Sequence, residues 1–220
     1  MDGARSCLRH LLLLSVLVMS AAASSESLDK DLLTALRSGG YVILMRHASS
    51  PPVPPAPGQA NPDNVEHERQ LDDRGRAAAR GMGDALRRLR IPIGLVLSSP
   101  TYRALETVRL ARLGKSETHP ELGDAGHSMQ ADASGQRGAW IRKRVAAPPP
   151  HGTNTLIVTQ LPNIVEAFPE EAQGLGEGGA LIFRPDGAGK PALVARVKME
   201  EWSSWAALFA RREVDGAAAP

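Results

Sequence analysis

Gly39-Gly40-Tyr41-Val42-Ile43-Leu44-Met45-Arg46-His47 is the stretch that decides how the rest of this chain is read. Five apolar and β-branched residues after a glycine pair predict a buried strand, Tyr41 to Met45. Its exit carries an arginine beside a histidine. In open α/β sheets the carboxyl ends of strands open into the crevice where ligands bind. A guanidinium there grips an oxyanion bidentately, and a neutral imidazole can attack phosphorus. The plainer alternative is a strand that ends in a charged surface residue and a partly buried histidine.

Upstream lies a targeting signal rather than part of the fold. Arg5 and Arg9 precede the apolar run Leu11–Met19, and Ser20-Ala21-Ala22-Ala23 supplies a small-residue cleavage site. That order predicts a signal peptide over 1–23, cut after Ala23, and a single domain over 24–220. The apolar run is shorter than the roughly 20 residues an ordinary spanning helix needs. Cleavage and export are therefore expected, to the periplasm, with no membrane insertion afterwards. The leader takes with it Cys7, the one cysteine of the chain, so the mature protein forms no disulfide and no cysteine-based metal site. Removing Arg5, Arg9 and Asp2 lowers the formal charge of +2 by one. No whole-molecule field for nucleic acid results, and anion binding must be local.

Ser27 is placed to cap a first helix with Asp29 and Asp31 in its opening turn, Leu28, Leu32, Leu33 and Leu36 on one face, and Gly39-Gly40 as its end. After His47, prolines at 51, 52, 54, 55, 57 and 62 make residues 49–64 a loop, either a lid over the strand end or a solvated insertion. Ala78, Met82, Leu86 and Leu89 then repeat at helical spacing, predicting a helix from near Asp72 to Arg90. Its arginines are interrupted by Asp72, Asp73 and Asp84 and face solvent. A second strand, Gly94–Ser98, is followed by Ser99-Pro100, read as N-cap and first helical residue. Arg103 then falls in the first turn, beside backbone N–H groups that favour an anion.

A third apolar strand, Thr155–Thr159, leads to Gln160 and a polar turn at Pro162-Asn163. Ala180–Phe183 and Leu193–Val197, joined by Arg184-Pro185-Asp186-Gly187, are expected to pair as a hairpin. A last helix turns Trp202, Trp205, Leu208 and Phe209 inward. Alternating strands and helices predict an α/β domain, a three-layer α/β/α sandwich around a mostly parallel sheet.

Three blocks in this order, Leu44-Met45-Arg46-His47-Ala48, Leu71-Asp72-Asp73-Arg74-Gly75-Arg76 and Ser98-Ser99-Pro100-Thr101-Tyr102-Arg103-Ala104-Leu105-Glu106-Thr107, resemble the histidine phosphatase (phosphoglycerate mutase-like) superfamily. Leu156–Ile164 and Gly176–Phe183 look like its closing blocks, so the likeness runs from about Gly40 to Phe209. The closest likeness is to small exported bacterial members with a helix ahead of the first strand.

The resemblance implies a metal-independent phosphomonoester hydrolase with no cofactor, in which His47 becomes a phosphohistidine that water hydrolyses. Arg46 and Arg103 would hold the phosphoryl oxygens. A carboxyl group would protonate the leaving oxygen. Asp124, two residues after Leu122, is the expected acid, with Glu121 its competitor. The expected partner is a small phosphoester or phosphate-like anion.

One departure stands out. The family pattern has a second, cationic histidine where this chain has Gln160, whose amide would donate hydrogen bonds to the phosphoryl group without adding charge. Loss of such a charge-assisted contact is expected to lower a rate by about 10²–10³. Two readings stay open: a phosphatase of reduced efficiency, and a degenerate relative that binds an anion or a partner with little turnover. Of the other histidines, His67 with Glu68 lacks the spacing of a zinc pair, and His119 and His127 are expected in solvent.

Overall fold

The structure, a computed structural model, describes residues 30–124 and 135–217. The expected signal peptide, the Ser27 cap with Leu28 and Asp29, and His127 lie outside these residues. The chain divides into two compact units, Met1–Ala35 and Leu36–Pro220. Residues 30–38 are helical (α1).

The larger unit is built on a six-stranded sheet of order β3-β2-β4-β1-β5-β6. Its strands are β1 (Val42–Arg46), β2 (Ile93–Ser98), β3 (Glu117–Thr118), β4 (Asn154–Thr159), β5 (Ala180–Arg184) and β6 (Ala192–Val197). β1 pairs in parallel with β4, from Val42 opposite Thr155 to Arg46 opposite Thr159. β4 pairs in parallel with β2, and β2 with β3. β5 runs antiparallel to β1, and β6 antiparallel to β5, so the expected hairpin is present. β1 and β4 lie inside the sheet and bury both faces, which is why they read as unbroken apolar runs.

Helices cover both faces. Val42, Leu44, Ile157, Leu181 and Phe183 form one core with Ile141 and Val145 of α4 (Gln136–Ala146) and Ile164 of α5 (Leu161–Ala167). Strand alternation turns Ile43, Met45, Leu156 and Val158 to the other face. On that side α2 (Asp73–Arg88) packs against α3 (Tyr102–Ala111) and α6 (Met199–Ala217). The three-layer, mostly parallel α/β architecture is the one expected. The chain after β1 leads to α2 and the chain after β4 leads to α5, on opposite faces. The carboxyl ends of these neighbouring strands therefore form a switch point with an open crevice.

Several local expectations are corrected. The helix after β2 is capped by Thr101 rather than Ser99. Ser99 N–H still bonds Val158 O (2.8 Å), continuing the sheet ladder, and its Oγ accepts from Thr101 N–H (3.2 Å). The backbone N–H groups at the start of α3 are not all free either: Tyr102 N–H donates to Glu68 Oε2 (3.1 Å). Pro162 does not make a turn but opens α5, because a helix tolerates proline in its first turn. α4 and β3 were not foreseen. In α6 the tryptophans are buried, but Leu208 is exposed and Phe209 is half-buried under the Arg37 guanidinium, 4.3 Å from its ring centroid.

Candidate active site

His47 follows β1 directly and is 2 % exposed. Its backbone is held on both sides, by Thr159 O accepting from its N–H (3.1 Å) and by Gly178 N–H donating to its carbonyl (2.9 Å). Nδ1 lies 2.7 Å from Ala48 O. A carbonyl only accepts, so this contact assigns the proton to Nδ1 and leaves a lone pair on Nε2. Arg103 Nε donates to that Nε2 at 3.2 Å. Burial, and secondarily the charges of Arg103, Arg46 and Arg69, lower the His47 pKa from 6.5 to about 4, against an opposing contribution from the Ala48 hydrogen bond. At neutral pH the ring is uncharged, and its Nε2 lone pair, which accepts from Arg103, can act as a nucleophile once that guanidinium turns to a ligand.

Arg103 reaches this ring from the first turn of α3, where it is 4 % exposed. Thr107 fixes its position: the Thr107 hydroxyl donates to Arg103 O (2.8 Å) and accepts from Ala48 N–H (3.1 Å), joining helix and strand exit. The Arg103 side chain also pairs with Asp124 through Nη2 and Oδ2. Asp124 arrives there because the segment ahead of it is held by the end of β4. Thr159 Oγ1 donates to Leu122 O (2.7 Å), and Asn163 Nδ2 donates to Gly123 O (2.8 Å). Glu121, the competing acid, lies in the 3₁₀ turn Pro120–Leu122, and its Oε2 is buried with no hydrogen-bond partner among the described residues.

Gln160, at the exit of β4, is 2 % exposed and every polar site on its amide is engaged. Oε1 accepts from Arg103 Nε (3.1 Å) and Nη2 (2.8 Å), while Nε2 donates to Ser99 Oγ (3.2 Å) and Thr101 Oγ1 (2.8 Å). Arginine has donors only, so the amide cannot turn over without setting donor against donor. The sequence led us to expect the NH₂ group toward a phosphoryl ligand. The structure turns it toward two hydroxyls and presents the carbonyl oxygen to Arg103 instead.

Arg46 ends β1, with Nη2 3.2 Å from Glu177 Oε1 and its Nε buried without a partner among the described residues. Glu177 Oε1 also accepts from Ser50 N–H (3.4 Å). A third cation was missed by sequence reading. Arg69 bonds Pro51 O through Nε (2.6 Å) and Ser50 O through Nη2 (3.1 Å). Its own pKa is lowered by burial first, then by Arg103, with Asp124 and Glu177 acting in the opposite direction. Arg69 therefore stands in the same charge cluster as Arg46, His47 and Arg103. The signal available for it was the Leu71-Asp72 cap directly downstream. Asp72 N–H bonds Ser49 O (3.1 Å) and Ser49 Oγ bonds Asp72 Oδ2 (2.7 Å), a clamp that returns residues near 70 to the strand exit.

The proline-rich loop is tied down at its base. Asn61 Nδ2 donates to Tyr102 OH (3.0 Å) and Glu106 Oε1 (3.1 Å), Tyr102 OH to Asp63 Oδ1 (2.6 Å), and Leu71 N–H to Glu106 Oε2 (2.9 Å). These contacts hold the segment between the loop and Leu71, which carries Arg69, while the proline-rich tip stays exposed. Among the remaining histidines, His67 and His151 are exposed, whereas His119 is half-buried against Trp140 with ring centroids 4.9 Å apart, not in solvent. Among the described residues no group of histidine, cysteine, aspartate or glutamate side chains is arranged to hold a metal ion, and no helix is long and apolar enough to cross a membrane. A surface groove of about 660 Å³ includes Ser49 and Glu177 in its wall and runs between α2 and α6. A second, of about 760 Å³, lies along α3 at Tyr102, Leu105 and Arg109.

Comparison with known proteins gives a consistent picture. Residues 42–153 match the histidine phosphatase superfamily (branch 1). Among solved structures the fold is similar to that of the protein histidine phosphatase SixA complexed with tungstate, at 18% identity over 73% of this chain and 98% of that one, with a TM-score of 0.52. It is also similar to phosphoglycerate mutase from Bacillus anthracis str. Sterne, at 14% identity over 79% of this chain and 99% of that one, again with a TM-score of 0.52. No curated protein matches the chain. With the match covering just over half of its length, this chain belongs to the histidine phosphatase superfamily.

Proposed function

We propose that the chain is a metal-independent phosphomonoester hydrolase that works through a phosphohistidine at His47, on a small substrate outside the cytoplasm. The observation that carries this reading is the Arg103–His47 contact: an uncharged, buried imidazole whose Nε2 lone pair faces a guanidinium 3.2 Å away. An imidazole with its proton fixed on the far nitrogen is a nucleophile, and an arginine beside it is a phosphoryl clamp. The export half of the proposal rests on the basic, apolar and small-residue order of 1–23, with 24–220 as the mature protein.

In the first half-reaction, the Nε2 lone pair attacks phosphorus and the bond from phosphorus to the ester oxygen breaks. Arg46, Arg69 and Arg103 offset charge on the phosphoryl oxygens as they exchange their present partners for the ligand. A carboxyl group protonates the departing oxygen; Asp124, at the rim of the site, takes that role in its protonated form, after Arg103 has exchanged it for the phosphoryl oxygens. In the second half-reaction water attacks phosphorus, its proton passes to the Asp124 carboxylate, and the N–P bond breaks. The electron pair returns to Nε2 and inorganic phosphate leaves. Gln160, standing where the family pattern has a histidine, supports this cycle by orienting Arg103 rather than by contributing charge.

A second reading, anion binding with little turnover, is favoured by one observation: Asp124 and Glu177 each already occupy one of the arginines. The test separates the two. Purified mature protein is expected to hydrolyse an activated aryl phosphate in the presence of EDTA, and His47→Ala to abolish that hydrolysis. Activity that requires added metal, or that survives in the variant, overturns the phosphohistidine route. Anion binding without hydrolysis in the parent chain selects the second reading.

A further inference from the structure

Arg69 joins the cradle around His47 from a segment, 67–72, that is neither helix nor strand. Its place must therefore be set by groups outside that segment. The residues on either side of it are fastened to the opening turns of α3. Glu68 Oε2 accepts from Tyr102 N–H (3.1 Å), and Leu71 N–H donates to Glu106 Oε2 (2.9 Å). Glu106 Oε1 accepts from Asn61 Nδ2 (3.1 Å), and Asn61 N–H donates to Gln70 Oε1 (2.9 Å), which leads back to the same segment. These are the turns of α3 from which Arg103 projects. Glu106 is the centre of the arrangement. It is buried, and a buried carboxylate is unfavourable unless its oxygens are bonded. One oxygen holds Leu71 and the other holds Asn61. Arg69 itself bonds Pro51 O and Ser50 O through Nε and Nη2, and its Nη1 has no partner among the described residues.

We propose that Glu106 is a positioning residue. Through Leu71 and Asn61 it fixes Arg69 at a set spacing from Arg103, so that the two guanidinium groups close on one phosphoryl group as a single clamp. Glu68 straps the segment on its other side. The inference rests on the phosphoryl-binding reading above and adds to it a residue that acts through Arg69 rather than on the ligand. Donors held in place before the ligand arrives bind it more tightly than donors the ligand must order for itself. Without the Glu106 strap, the ordering of residues 68–71 falls to the ligand.

The test is a double-substitution cycle on the mature protein, with vanadate as the probe and calorimetry as the readout. Arg69→Gln should raise the vanadate dissociation constant about tenfold, one charge-assisted contact being lost. Glu106→Gln should raise it about fivefold, because an amide nitrogen then faces one of the two donors. In the Arg69→Gln background the same change should add less than about twofold, since no arginine remains to be positioned. An effect of equal size in both backgrounds overturns the inference, because it marks a general loosening of α3 that acts on Arg103 as well. An affinity unchanged by Glu106→Gln in the parent overturns it too. If Glu106→Gln does not fold, Glu68→Ala, at a half-buried side chain, carries the same cycle with the same criteria. An affinity unchanged by Arg69→Gln overturns the inference and leaves phosphoryl binding at Arg46 and Arg103 standing. A parent chain that does not bind vanadate removes the phosphoryl reading and this inference with it.

Discussion

Gln160 is held between Arg103 and two hydroxyls. Its amide is bonded on both sides, with two hydroxyls holding the nitrogen and Arg103 holding the oxygen. The direction of its amide was not legible in the sequence, because it depends on hydroxyls from the turn between β2 and α3, some 60 residues away in sequence. Gln160→Leu, which fills a similar volume without an acceptor, should leave Arg103 free to take other rotamers. The expected outcome is a rise in the dissociation constant for vanadate or phosphate of about tenfold, one to two charge-assisted hydrogen bonds being lost. Gln160→Glu, which keeps the acceptor but adds a negative charge, should restore the Arg103 geometry without restoring anion affinity. Equal affinity in all three proteins would deny Gln160 any part in positioning the arginine.

At the level of elements, the strands that carry chemistry were the easiest to read. β1, β2 and β4 are short apolar runs ending in polar residues; β1 is shifted by one residue from its expected range, and β2 and β4 each begin one residue earlier. α4 escaped notice because Gln136–Ala146 spreads its buried Ile141 and Val145 among charged neighbours, and β3 because its two residues, Glu117 and Thr118, are both exposed. Neither carries a periodic apolar signal. The loop contacts that bring Arg69 to the site were likewise invisible, since they run through backbone carbonyls that any sequence could offer.

One junction does have a sequence signature. Gly75, in the first turn of α2, lies so close to the chain after His47 that a Cβ added there would meet Ser49 O at 2.1 Å. Asp72 caps the same turn through Gly75 N–H (2.6 Å). Gly75→Ala should therefore force α2 and the strand exit apart. A stability loss of about 1–3 kcal/mol in urea unfolding is expected, together with a fall in anion affinity. An alanine variant with parent stability and affinity would show the junction to be loose.

Across the whole molecule, the buried imidazole of His47 makes folding acid-sensitive. The His47 pKa falls from 6.5 to about 4 on folding, chiefly through burial. Between those values the unfolded chain binds a proton that the native chain does not, so the contribution to stability is full above pH 6.5 and declines as pH drops toward 4. Its total size is on the order of 3 kcal/mol, from about 1.4 kcal/mol for each unit of pKa difference. His47→Asn, which has no titrating ring, should lose less stability between neutral and mildly acid pH than the parent, by about 2 kcal/mol. Parallel stability–pH curves for the two proteins would contradict this. The sheet that imposes the burial was the most legible large-scale feature, because alternation of strands and helices already required apolar layers above and below β1.

The pair formed by Arg46 and Glu177 spans 131 positions of the chain, from the first strand to the turn before the fifth. Completing the cradle therefore demands that sequence-distant segments meet, and local helix formation contributes little to it. During refolding, recovery of ligand affinity should lag behind helical signal.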